Sequence, residues 1–120
     1  MRILQLHSDF IEYRAIKKEV AIAEETDKKL HRYDEVVVLF TCVEAGDNEP
    51  VAKRAVEEVK SSLKVLKANK ILIYPYAHLS SNLAKPATAL QVLKAMERHA
   101  KETGIETHRT PFGWCKQFSI

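Results

Sequence analysis

Glu35-Val36-Val37-Val38-Leu39-Phe40-Thr41-Cys42-Val43 is the stretch on which the fold turns. Between Val36 and Phe40 no polar residue interrupts it. A strand with one solvated face alternates polar and apolar residues, whereas a continuous β-branched run reads as a strand buried on both faces. The run gives way to Glu44-Ala45-Gly46-Asp47-Asn48, a loop with good turn chemistry. Asn48 is placed to cap a helix, and Pro50 falls where a first-turn proline is tolerated. Ala52, Ala55, Val56, Val59, Leu63 and Leu66 then recur at spacings of three and four, which predicts a helix to about Ala68 with that stripe buried.

Working outward, Ile71–Tyr76 (ILIYPY) predicts another strand, loosened where Pro75 removes a ladder donor. A second helix is expected from about Pro86, with Ala89, Leu90, Leu93, Met96 and Ala100 on one side and Gly104 as its stop. Ile105–Arg109 and Cys115–Ile120 read as short strands around a Pro111-Phe112-Gly113 turn. Upstream, Arg2–His7 alternates like a strand and is expected to stop at Ser8-Asp9. Glu12–Glu19 reads as a second, charged strand suited to an edge, and Glu24–Tyr33 as a connection. The order of strands and helices predicts a layered α/β domain, two main helices packed on a mixed β-sheet.

Composition narrows the function classes. The 120 residues amount to one domain, residues 1–120. Lys and Arg number 19 against 16 Asp and Glu, a formal net charge of +3, so no strongly basic tail or patch is present. Two cysteines, Cys42 and Cys115, are too few for a disulfide scaffold and too far apart for a CxxC site; they fit a reducing, cytoplasmic setting. No segment approaches the roughly 20 apolar residues of a membrane helix, and the first residues lead into a strand pattern, not a signal peptide. Three glycines weaken the case for a phosphate-cradling loop.

Two segments carry candidate chemistry. In Tyr74-Pro75-Tyr76-Ala77-His78-Leu79-Ser80-Ser81-Asn82 a buried strand runs out into an imidazole, two hydroxyls and an amide. Ligands of layered α/β domains bind beyond the carboxyl ends of strands. His78 there has the chemistry of a general base, a donor or a ligand, or it satisfies backbone groups at the strand–helix junction; both readings stand. In Thr110–Phe118, Lys116 sits among aromatics, where desolvation would lower its pKa and suit it as donor or base; a core cluster with a snorkelling lysine is the other reading. Cys115 beside it is a poor nucleophile candidate, because strand neighbours point to opposite faces. His7-Ser8-Asp9 has the composition of a triad, but consecutive strand residues diverge, so one or two of them line a pocket at most. His7, His31, His78, His99 and His108 show no metal-ligand spacing, so no metal site is expected. Lys60 and Lys64 share a helix face and read as solvated.

His7-Ser8-Asp9-Phe10-Ile11-Glu12-Tyr13, Tyr74-Pro75-Tyr76-Ala77-His78-Leu79-Ser80-Ser81 and Pro111-Phe112-Gly113-Trp114 followed by Lys116 match, in order and spacing, the amino-terminal editing domain of archaeal threonyl-tRNA synthetase. The chain resembles that family over essentially its whole length. The family is similar in fold to D-aminoacyl-tRNA deacylases, whose own SQFTL-type motif is missing here. The resemblance implies hydrolysis of the ester in seryl-tRNA(Thr) with threonyl-tRNA(Thr) spared. It maps the pocket onto Val43, Tyr76, Ala77 and His78, with backbone near Tyr76 and Ala77 taking the terminal adenosine, and His7 and Ser8 nearby. It makes Lys116 the catalytic lysine, with His78 beside it. It implies no cofactor, the 2′-hydroxyl of the terminal ribose assisting instead. The implied partners are the 3′ end of tRNA(Thr), a synthetase body in cis or in trans, and a second copy in a homodimer; no membrane is involved. Relatives carry an aromatic where this chain has Cys115, and continue past the last strand into a segment with a glutamate, so by that standard the chain is short at its carboxyl end. A non-catalytic RNA-binding or assembly module on the same fold, and a D-aminoacyl-tRNA deacylase, are the competing readings.

Overall fold

In the computed structural model, which describes residues 1–120 throughout, the chain runs as β1 (Arg2–Lys18), β2 (His31–Cys42), α1 (Glu49–Leu66), β3 (Lys70–Pro75), a 3-10 turn (Ala77–Leu79), α2 (Pro86–Glu102), β4 (Glu106–Arg109) and β5 (Trp114–Ser119). The five strands form one sheet in the order β4-β3-β2-β1-β5. β4, β3 and β2 are mutually parallel, while β1 runs antiparallel to both β2 and β5. The expected layered α/β architecture, two helices on a mixed sheet, is what the chain adopts.

The Val36–Val43 run is buried throughout because it lies at the sheet's centre between two layers. Val37 and Leu39 face α1 and α2 and pack with Val56, Leu63, Ile73 and Met96. Val36, Val38 and Phe40 face the other way and pack with Ile11, Tyr13, Leu72 and Tyr74. Both helices lie on one face because two successive crossovers, β2-α1-β3 and β3-α2-β4, step the same way across the sheet, and parallel crossovers are right-handed. The helix ends follow the sequence closely. Asn48 Oδ1 accepts the Val51 N–H at 3.2 Å, and Lys67 closes α1 in the left-handed region, its N–H reaching the Leu63 and Lys64 carbonyls.

The sheet curls so that its far edge covers the face without helices. In a flat sheet β5 and β3 would lie three strand spacings apart, roughly 14 Å. Instead the Phe118 ring is 5.5 Å from that of Tyr74 and 5.3 Å from that of Phe40. This curl is made possible by β1, and here the sequence expectation needs correcting. Ser8-Asp9 does not end a strand: β1 is one strand of 17 residues. Pairing with β2 continues in unchanged register from Ser8↔Val36 to Phe10↔Asp34, so ladder hydrogen bonds override the local turn preference. The irregularity is absorbed opposite, where Glu35 takes φ +47°. The amino half of β1 pairs only with β2, its carboxyl half also with β5, and a register shift between Ala15 and Lys17 adds bend.

Leu39 is fully buried where β2 meets the helices. Leu39→Ala is expected to cost about 2–5 kcal/mol of unfolding free energy, whereas Val65→Ala, on the exposed side of α1, should change it by less than about 0.5 kcal/mol. Urea denaturation of the two variants checks the contrast.

Candidate active site

Where β2 and β3 end side by side, the chain leaves a cavity of about 230 Å³. Its floor is Thr41, Cys42 and Val43 with Tyr74, Pro75 and Tyr76; α2 closes one side with Ala89 and Leu93. The 3-10 turn brings Ala77 and His78 to the rim, and Phe112–Lys116 form the opposite wall. Carboxyl ends of parallel strands are where such a site is expected, because the connections leaving them diverge and open a crevice.

Lys116 is the perturbed amine in it. β5 curls over the helix-free face and carries the side chain back toward β3, so that Nζ stands 4.9 Å over the Tyr74 ring. The ammonium donates to the carbonyls of Pro111 at 3.0 Å and Trp114 at 3.3 Å. Burial pushes its pKa down to about 8, opposed by the nearby Glu19 and Glu24 carboxylates. Two carbonyls and an aromatic face favour the charged amine, and desolvation favours the neutral one. The result is an amine partly desolvated yet still mostly protonated at neutral pH. Tyr74 is itself held protonated, its pKa raised chiefly by burial.

His78 stands exposed at the rim, its ring edge-on against Tyr76 at 5.1 Å. The junction's backbone is satisfied by its neighbour instead: Ser80 Oγ accepts the Asn82 N–H at 3.0 Å and donates to Glu44 at 2.7 Å. His78 takes no part in those bonds. Tyr76 commits its N–H to the Thr41 carbonyl at 2.8 Å, so it offers a ligand its carbonyl and its ring. Cys42 points its Sγ at the Ala77 carbonyl, 3.8 Å away, and burial raises its pKa, which leaves it a structural thiol. Cys115 is exposed at the pocket edge.

Five of the seven residues expected at the site, Val43, Tyr76, Ala77, His78 and Lys116, line this one pocket. His7 and Ser8 do not. The resemblance sets them near the pocket at the end of the first strand, but that strand runs on to Lys18. Paired with Val37 and Val36, they sit about four residues, some 13 Å, back along β2 from the pocket. There they border a separate polar groove beside Lys67–Lys70. No group of three or more His, Cys, Asp or Glu side chains converges in metal-binding fashion anywhere in the chain.

The sequence reading missed the segment that seals the wall. After β1 the chain turns back over Phe112-Gly113-Trp114: the Glu19 N–H donates to the Gly113 carbonyl at 2.8 Å, and the Glu24 N–H to that of Phe112 at 3.0 Å. Contact is so close that Gly113 has no room for a side chain. At φ +86°, a Cβ would lie 2.8 Å from Ala23 Cα and 2.7 Å from Val20 Cγ2. Only the glycine hinted at this; nothing in the composition of residues 19–24 does.

The family described as the Archaea-specific editing domain of threonyl-tRNA synthetase matches residues 1–120. This chain belongs to that family. It is similar to the threonine–tRNA ligase of Nitrosopumilus maritimus, 48% identical over 121 residues that cover 100% of this chain and 19% of the ligase. The corresponding ligase of Methanocaldococcus jannaschii is 46% identical over 123 residues, covering 100% and 20%. That of Cenarchaeum symbiosum is 48% identical over 122 residues, covering 100% and 19%. The chain thus spans about a fifth of the length of these curated relatives.

Two stability predictions follow from the geometry. Gly113→Ala should cost upwards of about 1 kcal/mol through its left-handed backbone alone, more through the Ala23 contact, and lower the thermal midpoint. Lys116 binds its proton less tightly folded than unfolded, so its burial penalty is complete below pH 8 and fades as pH climbs from about 8 to the ordinary lysine value. Lys116→Met is therefore expected to be at least as stable as the parent at pH 7, with the difference narrowing above pH 8 in denaturation curves taken across that range.

Proposed function

We propose that this editing domain hydrolyses the ester of mischarged seryl-tRNA(Thr) and spares threonyl-tRNA(Thr). The observation that carries the reading is the Lys116 ammonium, held by two backbone carbonyls in the wall of a pocket whose rim carries an unengaged His78. The need for such an activity is energetic. A synthetic site built for threonine loses one methyl's contact when serine enters, about 1–3 kcal/mol, which limits discrimination to roughly 10–200-fold. A second site must remove what passes.

Water adds to the ester carbonyl carbon, the carbonyl oxygen becomes an oxyanion, and the bond to the ribose 3′-oxygen then breaks. Serine leaves as the acid, and the ribose oxygen takes the proton that water gave up. Lys116 acts as the charged donor that steadies the oxyanion and orients the water. A donor fits its surroundings better than a base does, since both carbonyls and the Tyr74 face stabilise the cation. His78 holds the seryl group at the rim, and Val43 lines the floor beneath it. The Tyr76 carbonyl and the backbone of Ala77 take the terminal adenosine, and the 2′-hydroxyl of its ribose assists proton transfer, so no cofactor is required. The partners in this reading are the aminoacylated end of tRNA(Thr) and the body of a threonine–tRNA ligase, which holds the rest of the tRNA. A second copy of the chain and a cytoplasmic setting complete it. No helix here is long and apolar enough to cross a membrane.

The test incubates the chain with seryl-tRNA(Thr), threonyl-tRNA(Thr) and a D-aminoacyl-tRNA. Serine release is expected at least about a hundredfold above the rate of Lys116→Met, with threonine retained. After subtraction of the uncatalysed rate it should decline as pH rises through about 8, where the amine loses its proton. Release that rises through the same range makes the lysine a base. Release indifferent to Lys116→Met removes its role, preference for the D-aminoacyl ester points to a deacylase, and no release from any of the three points to a binding module.

A further inference from the structure

The wall that holds Lys116 has no rigidity of its own. Residues 110–113 lie between two short strands and donate or accept through backbone groups. Beside the Glu19 bond to Gly113 and the Thr110 bond to Ile73, Glu24 holds them at three points. Its Oε1 accepts the Phe112 N–H at 2.9 Å, its own N–H donates to the Phe112 carbonyl at 3.0 Å, and its carbonyl accepts the Trp114 indole N–H at 2.7 Å. The carboxylate is in turn gripped by both terminal nitrogens of Arg109. Arg109 Nε donates to Glu97 of α2 at 2.9 Å. One guanidinium, nine-tenths buried, thus ties α2 behind the pocket to the loop in front of it. Arg109's hydrogen bond keeps the Glu24 carboxyl below its ordinary pKa despite its burial, so the bridge stays charged at neutral pH. A bidentate Arg–carboxylate pair fixes direction as well as distance, which a loop held otherwise by single bonds requires.

We propose that Glu24, locked by Arg109 and Glu97, is a positioning residue for Lys116: it holds the Pro111 and Trp114 carbonyls where they cradle the ammonium. The proposal rests on the reading of Lys116 as the charged donor of the proposed hydrolysis. With the Glu24 side chain gone, the Phe112 N–H loses its acceptor and the buried guanidinium keeps only Glu97, the loop relaxes, and the lysine regains water.

The sign of the lysine's titration separates this from a simple charge effect. The groups facing Lys116 are the Glu19 and Glu24 carboxylates, Arg109, the Cys115 thiol and the Tyr74 ring. Loss of one negative charge, leaving Arg109 freer, lowers the pKa of an ammonium. Release of the loop restores hydration and raises it from about 8 toward the ordinary lysine value. Trp114 is the only tryptophan, so its emission reports the loop directly.

The experiment compares the parent chain, Glu24→Ala, Glu24→Gln and Glu97→Gln. The Lys116 side-chain NMR signal, assigned by its loss in Lys116→Met, is followed against pH, alongside Trp114 emission and serine release. Glu24→Ala is expected to move the titration midpoint upward, shift the emission to the red, and lower kcat roughly ten- to a hundredfold at unchanged KM, the scale of an ångström-level misplacement. Glu24→Gln, which keeps an acceptor for Phe112, should recover part of all three. Glu97→Gln, which touches neither the loop nor the pocket, should show the same changes in weaker form and serves as the test if Glu24→Ala does not fold. A folded Glu24→Ala, or in its absence a folded Glu97→Gln, with an unmoved or lowered midpoint and unchanged kcat overturns the proposal. If the parent chain releases no serine, the functional reading fails, while the titration and emission still decide whether Glu24 positions the amine.

Discussion

The Lys116 wall of the pocket depends on the curl of the sheet, which brings Phe118 against Phe40 and Tyr74. Without it β5 would be an outer strand projecting into solvent, and Lys116 an ordinary surface lysine. The curl is stabilised by burying aromatic area on a face that no helix covers, an environment in which edge-on and tilted ring pairs are favourable. It also sets a limit on β1. That strand must hold β2 along its amino half and β5 along its carboxyl half, bending between, which is why a single strand of such length is required.

The same curl explains the state of the lysine. Carrying an amine into a partly apolar crevice costs free energy unless donors and acceptors are matched. The chain meets that need with the Pro111 carbonyl of the adjoining loop, the Trp114 carbonyl at the start of β5 and one aromatic face, and leaves part of the penalty unmet, seen as the lowered pKa. An ammonium less well solvated than in water is a stronger partner for charge developing beside it. Under the proposed function, the destabilisation of the folded state and the chemistry share one cause.

The legible and illegible parts of the sequence divide along the range of the forces involved. Val36–Val43, the stripe from Ala52 to Leu66, the Asn48 cap and the Gly104 stop are local patterns, and each element they specify is present. Tyr76, Ala77 and His78 were legible as a site because a strand's carboxyl end carries its own polar exit. Ser8-Asp9 misled for the opposite reason: its turn preference is local, and the pairing that overrides it comes from residues 28 positions away, as in Ser8↔Val36. His7 and Ser8 fell with it. Glu24 was invisible because nothing near it in sequence explains it. Its partners, Arg109, Phe112 and Trp114, lie 85 to 90 residues away.

That distance bears on how such a site is built. Strand ends and a crossover helix give the pocket its floor and one side, but the remaining wall is loop, and a loop's conformation must be imposed by something it touches. Here the imposing group is charged. A hydrophobic contact would hold Phe112 against the pocket without fixing the direction of the Pro111 and Trp114 carbonyls, because dispersion forces carry little angular preference. A carboxylate accepting one backbone N–H and two guanidinium nitrogens does fix it. Where a buried ammonium relies on the aim of two carbonyls, directional bonds behind the loop are the economical means of aiming them, and Arg109 supplies them from a strand already anchored in the parallel half of the sheet.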